Sequence, residues 1–408
     1  MAAKKQAKKK EPAEIKGIND EFEAQLEELG LGSALKLADD VDNDVKVLTT
    51  GFPGLDHAID DKGVNSGFPI ARHVEIYSKK EHSGKTTLAL AIGVTWQLQG
   101  KRVIIIDIEG SVTKSYLKTL GYIVDKAEAE GRGLYAVRLL QVTVKPEEFE
   151  TDMLYAEHVL DIVGKASNVF DYVVVDSVDA LVSETESVKS AEENEKVGGI
   201  AKKMRGFFRK NTSRRATTLW LNHANQNIGG TMISYSTSGG KSVPRYSSLR
   251  LELSVMEKLK ENKDASPYGF ITRVLVVKNR LGANWRYVDL YYIWGEGFSK
   301  LYDYFMQAVK LGILFKAGAY YYILGEGKNV EERKKKCIWK CQGELNTYRA
   351  LTGKDPDRTE DQKLSDAEAW KHVLSMIDGE SVDVGVEFGD DDAVAAAETH
   401  EKAEELIA

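Results

Sequence analysis

The run His73-Val74-Glu75-Ile76-Tyr77 is short, β-branched and aromatic, and leads through His82-Ser83-Gly84-Lys85-Thr86-Thr87 into residues 88–98 (LALAIGVTWQL), whose apolar positions have helical spacing. Strand, Gly-Lys-Thr turn and helix, in that order, constrain the fold more than any other stretch of the chain. The turn places the free N–H groups of a helix N-terminus, and the positive end of its dipole, just beyond a buried strand. Such a loop cradles nucleotide phosphates. Ser83, Gly84, Lys85, Thr86 and Thr87 would line them, with Lys85 reaching the β- and γ-phosphates and the Thr86 hydroxyl ligating Mg2+. ATP and Mg2+ are the expected ligands. One position departs from the pattern: Lys79 stands where a first glycine is usual, so the loop lacks the residue best able to adopt positive φ at the strand exit.

Strand and helix patterns alternate from Val47 to about Tyr302. This predicts an α/β P-loop ATPase core wound around a mostly parallel central sheet. Strands are expected at 73–77, 102–108, 172–176, 217–222, 248–255, 272–278 and 288–294. Residues 1–18 read as a disordered basic arm and 19–40 as an amphipathic helix ended at Gly30 or Gly32 and then a short apolar stretch, within a separate segment reaching residue 46. The core then spans 47–300. Past Phe298 the pattern changes to short helices with an apolar turn (KAGAYYYILGEG), predicting a small C-terminal domain over 301–378. Residues 379–408 read as a flexible acidic tail.

The formal net charge is −7, which taken globally argues against nucleic acid, but its distribution matters more. Lys4, Lys5, Lys8, Lys9 and Lys10 form one basic cluster, and Lys202, Lys203, Arg205, Arg209, Lys210, Arg214 and Arg215 form another. Acid collects from Asp383 through Asp390-Asp391-Asp392 to Glu405, where it either competes with phosphate for basic surface or aids solubility. No run approaches the roughly 20 apolar residues of a membrane span, and the lysine-rich start is no secretory signal. A cytoplasmic protein is expected. The two cysteines, Cys337 and Cys341, fit a reducing compartment and read as free thiols, on one face if that stretch is helical. With no nearby histidine they cannot complete a four-ligand zinc site.

Three further strand ends carry polar chemistry. Phe170 to Ser177 is an apolar strand ending in Asp176; lying parallel beside the phosphate-loop strand, it would bring that carboxylate to Mg2+. Ile104-Ile105-Ile106-Asp107-Ile108-Glu109 would aim Glu109 into the same crevice, placed to polarise the water that attacks the γ-phosphate. Leu219-Trp220-Leu221-Asn222-His223 leads into 224–240, a Gly-, Asn-, Ser- and Thr-rich loop long enough to be functional. A polar residue at its root could transmit nucleotide state into it.

These segments, in this order, resemble the RecA family of homologous recombinases over about Leu31 to Gly325. The likeness rests on Leu48-Thr49-Thr50-Gly51, Gly54-Leu55-Asp56, Gly67-Phe68-Pro69, Asp107-Ile108-Glu109, Tyr116 with Leu120-Gly121, and Val175-Asp176-Ser177-Val178. It continues through Ser236 to Gly240, Leu249-Arg250-Leu251, Arg273 to Arg280, Trp294-Gly295-Glu296-Gly297 and Ala317-Gly318-Ala319. The resemblance implies an ATP-dependent filament on single-stranded DNA that pairs it with homologous duplex and exchanges strands. It makes 19–46 an oligomerisation segment and single-strand-binding and loader proteins the accessory partners. Tyr116, in the adenine-stacking segment, and Trp294 would bind ATP, and Lys278 and Arg280 would reach a neighbour's γ-phosphate in trans. A first DNA-binding loop would fall within 184–199, followed by a basic helix, giving Lys196, Lys202 and Arg209 as DNA contacts. The second would give Asn225, Asn227, Gly229, Gly239 and Gly240.

This sequence departs from the family pattern at several points. His223 stands at the nucleotide-sensing glutamine, as in recombinases resembling phage UvsX; it can still donate to a phosphate oxygen, with a charge that titrates near neutral pH. Thr113 replaces a frequent Asp, and Pro244-Arg245 a Lys-Phe pair. Two other readings keep the same core. One is a filament or mediator protein with little hydrolysis, favoured by Lys79 and opposed by Lys85, Thr86, Glu109 and Asp176. The other is a hexameric helicase, disfavoured by the N-terminal segment.

Overall fold

The computed structural model describes residues 24, 25, 27, 28 and 45–380, apart from 61–65, 142–154, 184–198, 212–214, 227–234, 261–263 and 352–357. It divides into two compact units, Met1–Val45 and Lys46–Ala408. In the first, Ala24, Gln25, Glu27 and Glu28 are helical; the remainder of the helix expected over 19–40, the basic arm and the acidic tail lie outside the described residues.

The second unit is built on a ten-stranded sheet. Its strands are β3 (His73–Ser78), β4 (Val103–Asp107), β5 (Arg138–Gln141), β6 (Tyr172–Asp176), β7 (Thr217–Gln226), β8 (Tyr235–Thr237), β9 (Leu249–Leu259), β10 (Gly269–Asn279), β11 (Tyr287–Ile293) and β12 (Gly297–Phe298); β1 (Val47–Leu48) and β2 (Phe68–Pro69) pair separately. The order is β12-β11-β10-β9-β3-β7-β6-β4-β5, with β8 folding back on β7. From β9 to β5 neighbours run parallel, and β9 to β12 antiparallel. All seven expected strands are present. The edge strand β5 was not foreseen, because its four residues, two half-buried between two exposed, carry no clear alternation.

Both faces of the parallel part are covered, which is why its strands read as continuous apolar runs. Along β4 and β6, Val103, Ile105, Tyr172 and Val174 join one buried cluster with the Lys85–Leu98 helix. Ile104, Ile106, Val173 and Val175 join the opposite one, with the Ala156–Val169 and Gly199–Lys210 helices. Trp220 is fully buried in the second cluster, its ring 5.5 Å from Phe207 and 5.4 Å from Phe208. Trp220→Ala is expected to cost about 3–5 kcal/mol through the cavity it leaves, read as a lower urea midpoint by circular dichroism.

Two expectations are corrected. β6 does not lie beside β3: β7 runs between them, pairing with both. The region after Phe298 is not made of short helices alone. A three-stranded antiparallel sheet, β13 (Leu314–Ala317), β14 (Tyr320–Ile323) and β15 (Trp339–Gln342), packs with the Lys300–Lys310, Glu344–Leu351 and Glu360–Glu380 helices around Phe305 and Tyr321. The apolar turn is its first hairpin. Cys341 therefore lies on a strand, and Cys337 just past the Val330–Lys335 helix; both thiols are free and half-buried. Among the described residues no helix is long and apolar enough to cross a membrane.

Candidate active site

The phosphate loop leaves β3 at Ser78 and enters the helix at Lys85, with Gly84 as N-cap at φ 86°. A Cβ on Gly84 would sit 2.7 Å from the Phe298 ring, so close packing as well as backbone angle demands glycine. The positive φ missing at Lys79 is taken up elsewhere, by His82 at φ 56°. Lys79 instead ties the loop outward. Its Nζ lies 2.6 Å from Glu252 Oε1 and 5.1 Å from the centre of the Tyr235 ring. From the other side Thr272 Oγ1 donates to the Ser83 carbonyl at 3.2 Å.

Inside the loop, Lys85 Nζ lies 2.9 Å from Ser78 Oγ and 3.2 Å from His223 Nε2. Burial lowers the Lys85 pKa, against the pull of the Asp176 and Glu109 carboxylates. Thr86 Oγ1 donates to Asp176 Oδ2 at 2.7 Å. Burial pushes Asp176 up to about 6, opposed first by that Thr86 hydrogen bond and raised further by Glu109 and Asp107. A carboxylate held this way gains from a cation beside it. The β4 exit is fastened to the β6 exit: the Ile108 amide donates to the Asp176 carbonyl, and Ser177 Oγ donates to Glu109 Oε1. Asp107, fully buried, accepts from the Ser111 and Val112 amides and turns the chain away from the crevice.

Burial first, and then the Lys85 charge, lower the His223 pKa. As acceptor from Lys85, its Nε2 carries no proton in this arrangement.

The residues present suit a nucleotide phosphate with Mg2+. Ser83 Oγ is buried without a hydrogen-bond partner, Gly84 forms a cradle that a side chain would fill, and Thr86 and Asp176 offer the hydroxyl–carboxylate pair that a hard cation prefers. Tyr116 Oη lies 2.5 Å from Thr87 Oγ1, at the flank of the helix start. Thr113 caps the Lys114–Thr119 helix through the Tyr116 amide, which explains a hydroxyl at that position. Trp294 is 52% exposed in the turn after β11. Tyr292 and Phe298, in edge-to-face contact at 5.1 Å and packed beneath Gly84, were missed; in sequence they look like ordinary strand residues.

Lys278 and Arg280 make their hydrogen bonds elsewhere, to the Ser242–Tyr246 helix. Lys278 Nζ donates to the carbonyls of Pro244 and Arg245 at 2.8 and 3.0 Å, and an Arg280 guanidinium nitrogen to Arg245 O at 3.2 Å. Burial, helped by Arg280 and Arg250, lowers Lys278 to about 8.

Of the DNA-contact candidates, Lys202 and Arg209 are exposed on the Gly199–Lys210 helix. Asn225 lies on β7, where β7 and β8 pair through Ala224↔Thr237 and Asn225↔Ser236. The root of the long loop is thus a hairpin rather than irregular chain. Gly239 and Gly240 have φ of 78° and 71°, and a Cβ on Gly240 would meet Ala201 at 2.8 Å, so turn geometry and packing onto the basic helix account for both. Lys196, Asn227 and Gly229 lie outside the described residues.

The sequence model of the RecA N-terminal domain matches residues 16–299. Protein RecA of Oleidesulfovibrio alaskensis is 32% identical over 311 residues, covering 73% of this chain and 80% of the relative. Protein RecA of Cytophaga hutchinsonii is 32% identical over 309 residues, 74% and 80% of the two chains. Protein RecA of Chlorobaculum parvum is 31% identical over 340 residues, 79% and 88%.

Proposed function

The chain belongs to the RecA family, and we propose that it hydrolyses ATP at a site completed between protomers of a filament on single-stranded DNA. It is an ATP-dependent recombinase of recombination and repair, and a DNA-dependent ATPase. Pairing with homologous duplex and strand exchange are the finer steps we assign to it. The observation that carries the reading is the convergence at the strand ends. Lys85 and the Thr86–Asp176 pair meet beside Glu109, which Ser177 holds in place.

In this mechanism Lys85 and the loop amides bind the β- and γ-phosphates, while Thr86 and Asp176 would hold Mg2+. When bound, the cation neutralises phosphate charge and helps orient the triphosphate. Glu109 accepts a hydrogen bond from the attacking water and orients it in line. His223, at the root of the β7–β8 loop, donates to the γ-phosphate from its Nε2 in the other neutral tautomer. Lys278 and Arg280 of an adjacent protomer stabilise the developing charge. Lys202, Arg209 and the β7–β8 loop contact DNA through phosphates, which suits sequence-independent binding.

ATP hydrolysis measured with and without single-stranded DNA, at low and moderate salt, tests this. Strong stimulation that weakens as salt rises is expected. Absence of hydrolysis with ATP-dependent DNA binding intact would instead identify a poorly hydrolysing filament protein, the reading that Lys79 favours.

A further inference from the structure

The Lys300–Lys310 helix is apolar where it meets the C-terminal sheet and polar where it meets the ATPase core. Tyr302, Phe305 and Ala308 are buried in the C-terminal cluster. Lys300, Asp303 and Gln307, at i, i+3 and i+7, share the other face. That face lies against the Pro53–Ile59 and Lys85–Leu98 helices. The Gly54 amide donates to Asp303 Oδ2 at 2.8 Å. Lys300 Nζ donates to Thr95 Oγ1 at 2.7 Å and lies 5.8 Å from the centre of the Phe52 ring. The approach is close enough to require glycine: a Cβ on Gly54 would collide with Asp303 Oδ1 and sit 2.5 Å from Gln307 Nε2.

This seam buries an acid that is only half satisfied. Asp303 is 2% exposed, and among the described residues its Oδ1 has no hydrogen-bond partner. An ionised carboxylate held this way is costly, whereas the neutral acid can keep the Gly54 bond through its carbonyl oxygen. Burial pushes Asp303 up to about 7; the Gly54 hydrogen bond opposes this, the Asp56 charge adds to it and Lys310 opposes it. Asp56, on the facing helix, is itself pushed to about 6 by burial, against hydrogen bonds from Thr49 and Thr50. Burial lowers half-buried Lys300 to about 8, so it keeps its charge over most of the range below that value. Of the other charged groups around the seam, Asp289 of β11 pairs with Arg273, and half-buried His57 stands on the facing helix.

We propose that this seam is a proton-operated latch: protonated Asp303 holds the C-terminal sheet and its helices against the ATPase core, and ionised Asp303 releases them. The sign follows from the two states of the carboxyl. In the closed seam it titrates near 7, and in an opened, solvated one at its ordinary 3.8. Closure therefore takes up a proton; it is favoured in full below 3.8 and loses that advantage as pH rises through about 7. The cap residue Ser299 directly follows Phe298, whose ring packs against Gly84. The latch thus also fixes the chain beneath the phosphate loop.

Hydrogen exchange of the full chain, without nucleotide or DNA, reads the latch on peptides spanning 52–60 and 300–310. Rates are corrected for the intrinsic pH dependence of exchange. Between about pH 5.5 and about pH 7.5, protection of both peptides is expected to fall about 10- to 30-fold, the change in closure that the two titration points give. Protection along 172–176, in the middle of the sheet, should stay level. Asp303→Asn keeps an oxygen for the Gly54 amide and carries no charge, so its seam should stay protected over the same range. A pH-independent seam in the unaltered chain overturns the proposal. So does an equal fall in Asp303→Asn, or an equal fall along 172–176. Should Asp303→Asn fail to fold, Asp56→Asn carries the test. With the facing charge removed, the fall should move to lower pH, and an unmoved midpoint overturns the proposal.

Discussion

A Glu109→Gln variant is expected to lose roughly 10²–10⁴-fold in DNA-stimulated ATP turnover while retaining nucleotide-dependent DNA binding. Glu109 sits just past the end of β4, where the Ile108 and Glu109 amides both donate to the Asp176 carbonyl. The backbone that aims the side chain is thus fixed by β6 and independent of the carboxylate. Glutamine preserves shape, and its amide oxygen can still accept from Ser177 Oγ. It cannot offer the anionic oxygen that polarises an attacking water. Asp176 would feel one less neighbouring negative charge, since Glu109 raises its pKa; cation binding by the Thr86–Asp176 pair should persist. Single-turnover hydrolysis, together with binding of the labelled nucleotide, separates the two effects. Turnover equal to that of the unaltered chain would remove Glu109 from the chemistry and leave it as a strand-end clasp.

The parts of this site readable in sequence are those in which strand chemistry and terminal polar residue coincide. Tyr172-Val173-Val174-Val175-Asp176 is buried on both faces, so its run is unbroken and its polar end conspicuous. Lateral order was not readable. A run of valines does not encode its neighbours, and β7 intervenes between β3 and β6 even though Thr86 and Asp176 still meet, because the loop and helix reach across. Lys79 misled in a different way. The left-handed residue is His82, a residue type that tolerates that region better than most, so absence of a glycine did not mean absence of the turn. In the C-terminal sheet the signal was present but read too coarsely. Gly318-Ala319 forms a two-residue connection between β13 and β14, with Gly318 at φ 58°, as hairpins favour. The buried Glu75 carboxylate, which accepts from Asn222 and Arg250, had no local signature. Its partners are 147 and 175 residues apart in the chain.

Replacing both Lys278 and Arg280 by alanine is expected to lower DNA-stimulated hydrolysis by about 10³–10⁵-fold, the range for loss of a charge-stabilising finger, with little effect on the folded protomer. The contacts these side chains make support the second half of that expectation. They donate to the carbonyls of Pro244 and Arg245 at the end of the short Ser242–Tyr246 helix, and water can replace donors at partly exposed carbonyls. The first half follows from charge. Lys278 is lowered to about 8 by burial and by the Arg280 and Arg250 cations, so in the separate protomer it loses its proton as pH rises through that value. A phosphate approaching from a neighbour would pull the pKa back up. Lys278→Arg should therefore retain charge at high pH where the native lysine does not, and should extend activity to the alkaline side if charge is what matters. Mixing the double variant with Glu109→Gln chains gives a sharper comparison. A junction at which a Glu109→Gln chain presents Lys278 and Arg280 to the intact Glu109 site of a double-variant neighbour contains every group the mechanism needs. Recovery of hydrolysis in such mixtures, with neither variant active alone, is the expected result; full activity in the double variant by itself would place the whole reaction within one protomer.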